Sequence, residues 1–132
     1  MNIKSSKELV DEANKSIKAI SAEEVKNAYE KGEVTLIDVR DIRELWKEGT
    51  IKDSIHIPRG MLEFWLDPNS SYYQEKKMGE VKNIVLFCAL GFRSALATKA
   101  LKDMGFKNVI NAKGGFDALK QAGLPIVSKD KK

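Results

Sequence analysis

The sequence predicts an α/β domain in three layers, a central and mostly parallel sheet with helices on both faces. Three observations lead there. Short apolar runs rich in β-branched residues alternate with stretches of helical periodicity, an order that builds parallel strands joined by crossover helices. Capping residues open the helical stretches and glycines close them, which punctuates the elements. The chain has 132 residues, 42% hydrophobic and 32% charged, enough apolar material for one core and the usual size of one domain.

Residues 6–19 are predicted as an amphipathic helix, because Leu9, Val10, Ala13, Ile17 and Ile20 recur at helical spacing. The stretch "SAEE" at 21–24 is a capping box, in which Ser21 and Glu24 satisfy each other's free amides, and Gly32 ends the helix it opens. "VTLIDV" at 34–39 is a buried strand. "DIRELWKEG" is a short helix closed by Gly49, and "SIHIP" is a strand closed by Pro58. Residues 59–73, "RGMLEFWLDPNSSYY", form the least regular part. "NIVLFC" at 83–88 is the most apolar strand, and the helix after it carries Ala97, Leu101 and Met104 on one face with Gly105 as its C-terminal cap. "KNVINA" is another strand, "KGG" a turn, and "FDALKQAGLP" a helix stopped by Gly123 and Pro125. The division expected is a helical extension over 1–20, the main domain over 21–126 and a polar, basic tail over 127–132.

Composition narrows the function classes. Lys and Arg total 23 against 19 Asp and Glu, a net charge of +4 spread without a basic stripe on any one element, so no nucleic-acid face is expected. The first twenty residues lack the unbroken apolar stretch of a signal peptide or membrane helix, and the protein is expected to be soluble and cytoplasmic, with no membrane partner. The chain has one cysteine and no CxxC or HExxH pattern, so neither an internal disulfide nor a metal site is expected, and no cofactor is called for. His56, the single histidine, reads as a structural or surface residue.

The chemistry concentrates in "CALGFRS", residues 88–94, at a strand-to-helix junction. Ligands in open α/β sheets bind beyond the carboxyl ends of the strands, where Cys88 stands. A helix N-terminus offers free amides and a partial positive charge, and so stabilises an anion, a thiolate included. Gly91 lets the backbone curl its amides inward as a nest, Arg93 adds a permanent charge, and Ser94 is placed to cap the following helix. Leu90 and Phe92 read equally as pocket lining or as plain loop residues. The competing reading of Cys88 is a small hydrophobe that ends an apolar run; the glycine, arginine, serine and helix that follow it favour the nucleophile.

These residues resemble the active-site loop C-x-x-G-x-R-S of single-domain rhodaneses, a sulfurtransferase family. "LIDVRD" at 36–41, Glu44, Gly49, "SIHIPRG" at 54–60 and "GGFDALKQAGLP" at 114–125 resemble the family's other signatures in order and approximate spacing, so the likeness covers roughly 21–126. Thr50 stands where the family usually has histidine, and Leu119 where it commonly has tryptophan. The resemblance implies a rhodanese-like fold in which Cys88 takes a sulfane sulfur from a small anionic donor such as thiosulfate and passes it to a thiol, cyanide or a protein acceptor. Ala89, Leu90, Gly91, Phe92, Arg93 and Ser94 would cradle the persulfide. Asp38 would either orient the site or serve as a structural acid, Arg40 would pair with Glu44 to fix the fold, and Arg59 would face the pocket mouth. Two other classes compete: a rhodanese-like binding or sensing module without catalysis, and a cysteine phosphatase. The phosphatase pattern places five residues between Cys and Arg, whereas four separate Cys88 from Arg93.

Overall fold

The computed structural model describes residues 2–75 and 83–131; Met1 and Lys132, the ends of the predicted extension and tail, lie outside the described residues. In chain order the strands are β1 (Lys18–Ile20), β2 (Val34–Asp38), β3 (Thr50–Ile51), β4 (Ile55–His56), β5 (Asn83–Phe87), β6 (Val109–Ala112) and β7 (Ile126–Val127). The helices are α1 (Ser6–Ser16), α2 (Ala22–Glu30), α3 (Ile42–Glu48), α4 (Leu62–Leu66), α5 (Phe92–Met104) and α6 (Gly115–Gln121), with a 3-10 turn at Arg59–Met61. Among the described residues, five strands make one sheet in the order β1-β6-β5-β2-β4, with each neighbouring pair parallel. β3 and β7 pair antiparallel in a second, two-stranded sheet.

β5 lies at the centre of the sheet, and after the exposed Asn83 it is apolar and buried from Ile84 to Phe87 because both of its faces are covered. Ile84, Leu86 and Cys88 enter one core cluster with Ala97 and Leu101 of α5 and Leu62 and Leu66 of α4. Val85 and Phe87 enter the other, with Val25 of α2 and Phe116 and Leu119 of α6. The period-two alternation thus splits one strand between two cores, and a slip of one residue would exchange them. Among the described residues three helices start with full capping boxes, Ser5 with Glu8, Ser21 with Glu24 and Asp41 with Glu44.

Four expectations need correction. The first helix ends at Ser16 and not at 19: Ile17 is extended, and Lys18–Ile20 pair with Ile110–Ala112 as the edge strand β1. Ile17 and Ile20 fit either period over so short a run, and pairing with β6 decides between them. Residues 59–73 contain more order than expected, because Leu62 and Leu66 lie one helical turn apart and both are buried. Met104 is not on the buried face of α5 but 42% exposed at its last turn, while Phe106 packs against the core in its place. Ile126 and Val127, with no strand expected, pair with Ile51 and Thr50. α1 lies against α5 and is tied to it where Lys102 donates to the Ser16 carbonyl.

Candidate active site

β5 ends at Phe87, and the chain turns through 88–91 before α5 begins. Gly91 is the N-cap of α5, at φ +99°, a conformation that favours glycine. Ser94 is therefore not the cap expected of it. It lies inside the first turn, where its hydroxyl donates to Asn111 Oδ1 at 2.6 Å and sits 3.4 Å from Cys88 Sγ. One hydroxyl proton cannot serve both, and the shorter contact is the better bond.

Cys88 is 1% exposed and belongs to a hydrophobic cluster, yet its sulfur is not apolar filler in its contacts. The amides of Gly91 and Ser94 point at Sγ from 3.2 and 3.4 Å. The loop that does this is held from outside. Phe116 N, at the start of α6, donates to the Cys88 carbonyl at 2.7 Å, Asp117 N reaches the Ala89 carbonyl at 3.3 Å, and Asn111 Nδ2 donates to the Gly91 carbonyl at 3.2 Å. Helix N-termini have unpaired N–H groups, and α6 spends two of them on loop carbonyls. Gly115, at φ +60°, permits that approach: a Cβ there would lie 2.4 Å from the Cys88 oxygen and 2.6 Å from the Ala89 oxygen.

Arg93 points to α3. Its Nη1 and Nη2 donate to Glu44 Oε1 and Oε2 at 2.6 and 3.0 Å, a bidentate pair in a partly exposed setting. The Glu44 hydrogen bond is the main reason the Arg93 pKa is raised, and the Cys88 sulfur, close enough to contribute, raises it further against the effect of burial. In turn the hydrogen bond from Arg93 holds the Glu44 carboxyl below its ordinary value, so Glu44 stays ionised well into acid. Leu90 and Phe92 stand 55% and 60% exposed on the loop. With Gly91, Asn111, Lys113 and Asn14 of α1 they line a cavity of about 280 Å³ beside it.

The expected ion pair of Arg40 with Glu44 is corrected by these contacts. Arg40 and Asp38 are fully buried and bind each other through Nε and Nη2, with Nη2 also on the Gly49 carbonyl. Thr50 Oγ1 donates to Asp38 Oδ2 at 2.8 Å, so the residue at the family's histidine position completes this network. Arg40 Nη1 has no hydrogen-bond partner, and the guanidinium lies 4.1 Å over the Phe116 ring. Asp38 thus bonds to a buried arginine, a threonine and the Arg40 amide. Asp38→Asn would strand a buried guanidinium charge, and the expected cost is about 3–5 kcal/mol, read as a lowered midpoint of thermal unfolding. Arg59 pairs with Glu63 at 2.7 Å, and none of its hydrogen bonds reaches the 88–94 loop. His56 Nε2 contacts the Arg40 carbonyl at 2.7 Å.

The sequence points to the 88–94 loop as a unit but not to Glu44 as the partner of Arg93, Asn111 as the link between Ser94 and Gly91, or Gly115 as the floor. No local pattern announces the first two. The doubled glycine of "KGG" was a signal for the third, because a second glycine is more than a turn needs.

The fold and the site define a class: α/β domains that present one thiol in an amide-lined loop at the carboxyl end of a parallel sheet. The description "Rhodanese-like domain" matches residues 21–122, and the chain belongs to that family. It is 29% identical over 101 residues to a sulfurtransferase of Allochromatium vinosum, covering 74% of this chain and 82% of that one. Among solved structures it is similar to the polysulfide-sulfur transferase homodimer of Wolinella succinogenes, at 33% identity and a TM-score of 0.69 over 92% of this chain and 85% of that one. It is also similar to a protein of unknown function and possible tyrosine phosphatase from Rhodopseudomonas palustris, at 41% identity and a TM-score of 0.88 over 96% and 97% of the two chains. Among the described residues no helix is long and apolar enough to cross a membrane.

Proposed function

We propose that the protein moves a sulfane sulfur from a donor to an acceptor and carries it in between as a persulfide on Cys88. The observation that supports this most is the sulfur at the focus of the Gly91 and Ser94 amides. The Cys88 thiolate attacks the outer sulfur of a donor such as thiosulfate, the donor's S–S bond breaks, and its electron pair leaves with sulfite. A thiol, cyanide or a protein acceptor then takes the sulfur and restores the thiolate, a ping-pong cycle. The transferred atom would lie about 2 Å beyond Sγ, within the loop that supplies the amides. We place this activity in the cytoplasm, where a reducing environment keeps the thiol free. Intact-mass measurement after incubation with thiosulfate or with an organic persulfide tests the proposal: one sulfur atom gained, then lost on adding cyanide, is the expected outcome, and a mass unchanged by both donors overturns it.

A phosphatase is the second reading, favoured by the description of the Rhodopseudomonas palustris protein. The loop argues against it. Only four residues separate Cys88 from Arg93, and a ring that tight suits one sulfur atom better than a phosphoryl group with three oxygens. Hydrolysis of an aryl phosphate by the wild type, lost in a Cys88 variant, would favour the phosphatase.

A further inference from the structure

The loop has one guanidinium to offer, and it is already engaged. Both terminal nitrogens of Arg93 lie on the Glu44 carboxylate, whose Oε1 also accepts the Asp41 amide at 3.3 Å in the α3 capping box. Nearby charges do not replace it. Arg43 is held by Asp41, Arg40 is cancelled by Asp38 in the buried layer below, and Lys113 lines the cavity on the Leu90 and Phe92 side of the loop, whereas Glu44 is bound to Arg93 itself. Among Cys88, Arg93 and Glu44 themselves, a thiolate leaves one negative charge in excess, because the guanidinium is matched by the Glu44 carboxylate.

We propose that Glu44 sets donor choice: by occupying Arg93 it disfavours donors that leave as a dianion, such as thiosulfate, and favours organic persulfides that leave as a thiolate. This rests on the sulfurtransferase reading and gives it a substrate class. The two donors react alike in bonding. In each, Cys88 Sγ forms a bond to the outer sulfur and the donor's S–S bond breaks. With thiosulfate the electron pair departs on sulfite, two negative charges next to the Glu44 carboxylate. With an organic persulfide it departs on one thiolate, and the proton stays on the transferred sulfur. Like charge acts against the first and far less against the second.

Glu44→Gln isolates the charge. Glutamine keeps the capping bond to Asp41 and one acceptor for Arg93, so α3 and the loop keep their supports. The full chain and the variant are compared by the rate of Cys88 persulfide formation with thiosulfate and with the persulfide of an N-acetylcysteine ester, whose skeleton is uncharged. The expected result is that Glu44→Gln raises kcat/KM for thiosulfate relative to the organic donor roughly tenfold, through KM, with a weaker salt dependence of the thiosulfate reaction. Glu44→Asp, which keeps the charge, retains the wild-type donor ratio. An unchanged ratio in Glu44→Gln, or an equal fall with both donors, overturns the proposal while leaving sulfur transfer standing. Failure of the wild type to gain sulfur from either donor overturns the sulfurtransferase reading itself.

Discussion

Cys88→Ser is expected to remove sulfur transfer while the domain stays folded. A serine hydroxyl is close to the thiol in size, and in the loop it would accept from the same Gly91 and Ser94 amides that now face Sγ at 3.2 and 3.4 Å, so its oxygen would not be stranded in the core. The hydroxyl stays protonated at neutral pH and is a poor nucleophile toward sulfur, and no neighbouring group takes the role over, since Cys88 is the chain's one thiol. The expected loss is about 10,000-fold or more in thiosulfate:cyanide turnover, with a change in unfolding free energy within about 1 kcal/mol. Turnover and a denaturant melt on the same preparation check both halves. Substantial activity in a variant verified by mass would take Cys88 out of the mechanism.

Gly115→Ala is expected to damage both the fold and the activity, though residue 115 bears no reactive group. The methyl would arrive 2.4 Å from one carbonyl oxygen and 2.6 Å from the next, both backbone atoms, at a φ of +60° that an alanine adopts at a cost. Either α6 retreats or the 88–91 loop does, and in both cases the 2.7 Å bond from Phe116 N to the Cys88 carbonyl is lost. Strain and lost packing together should cost about 3–5 kcal/mol. Activity should fall about 100-fold in molecules that remain folded, because a shift of about an ångström in a positioned site has that effect. Thermal melts and persulfide formation below the new midpoint test the two effects separately. An alanine variant as stable and active as wild type would mean that this close approach does not shape the loop.

What the sequence made legible was local or periodic. The Ser21 and Glu24 capping box, the α5 cap at Gly105 and the alternation along β5 are each written within a few residues, and the structure carries all three. What it hid depends on pairing at a distance. β1 is three residues long and becomes a strand only because β6 lies alongside, with Lys113 N on the Ile20 carbonyl. Arg93 and Glu44 are 49 positions apart, and the sequence expectation pairs Glu44 with Arg40. Helical spacing makes i, i+4 a natural partnership, but Arg40 lies outside α3 and is drawn to Asp38 in the buried layer. The Cys88 loop was legible because its glycine, arginine and following helix all lie in one short stretch, and its supports were not because they come from β6, α6 and α3.

The anchoring of the loop carbonyls fixes the polarity of its peptide planes. Among the described residues no peptide bond is cis, so within each plane the C=O and the next N–H point in opposite directions. With the oxygens of Cys88, Ala89 and Gly91 bound by Phe116, Asp117 and Asn111, the amides of Ala89, Leu90 and Phe92 are turned away from those anchors. A plane can reverse only by giving up its outer bond. In the sulfur transfer proposed above, these three dipoles would be oriented by their anchors before any charge arrives at the loop, with little rotation left to perform.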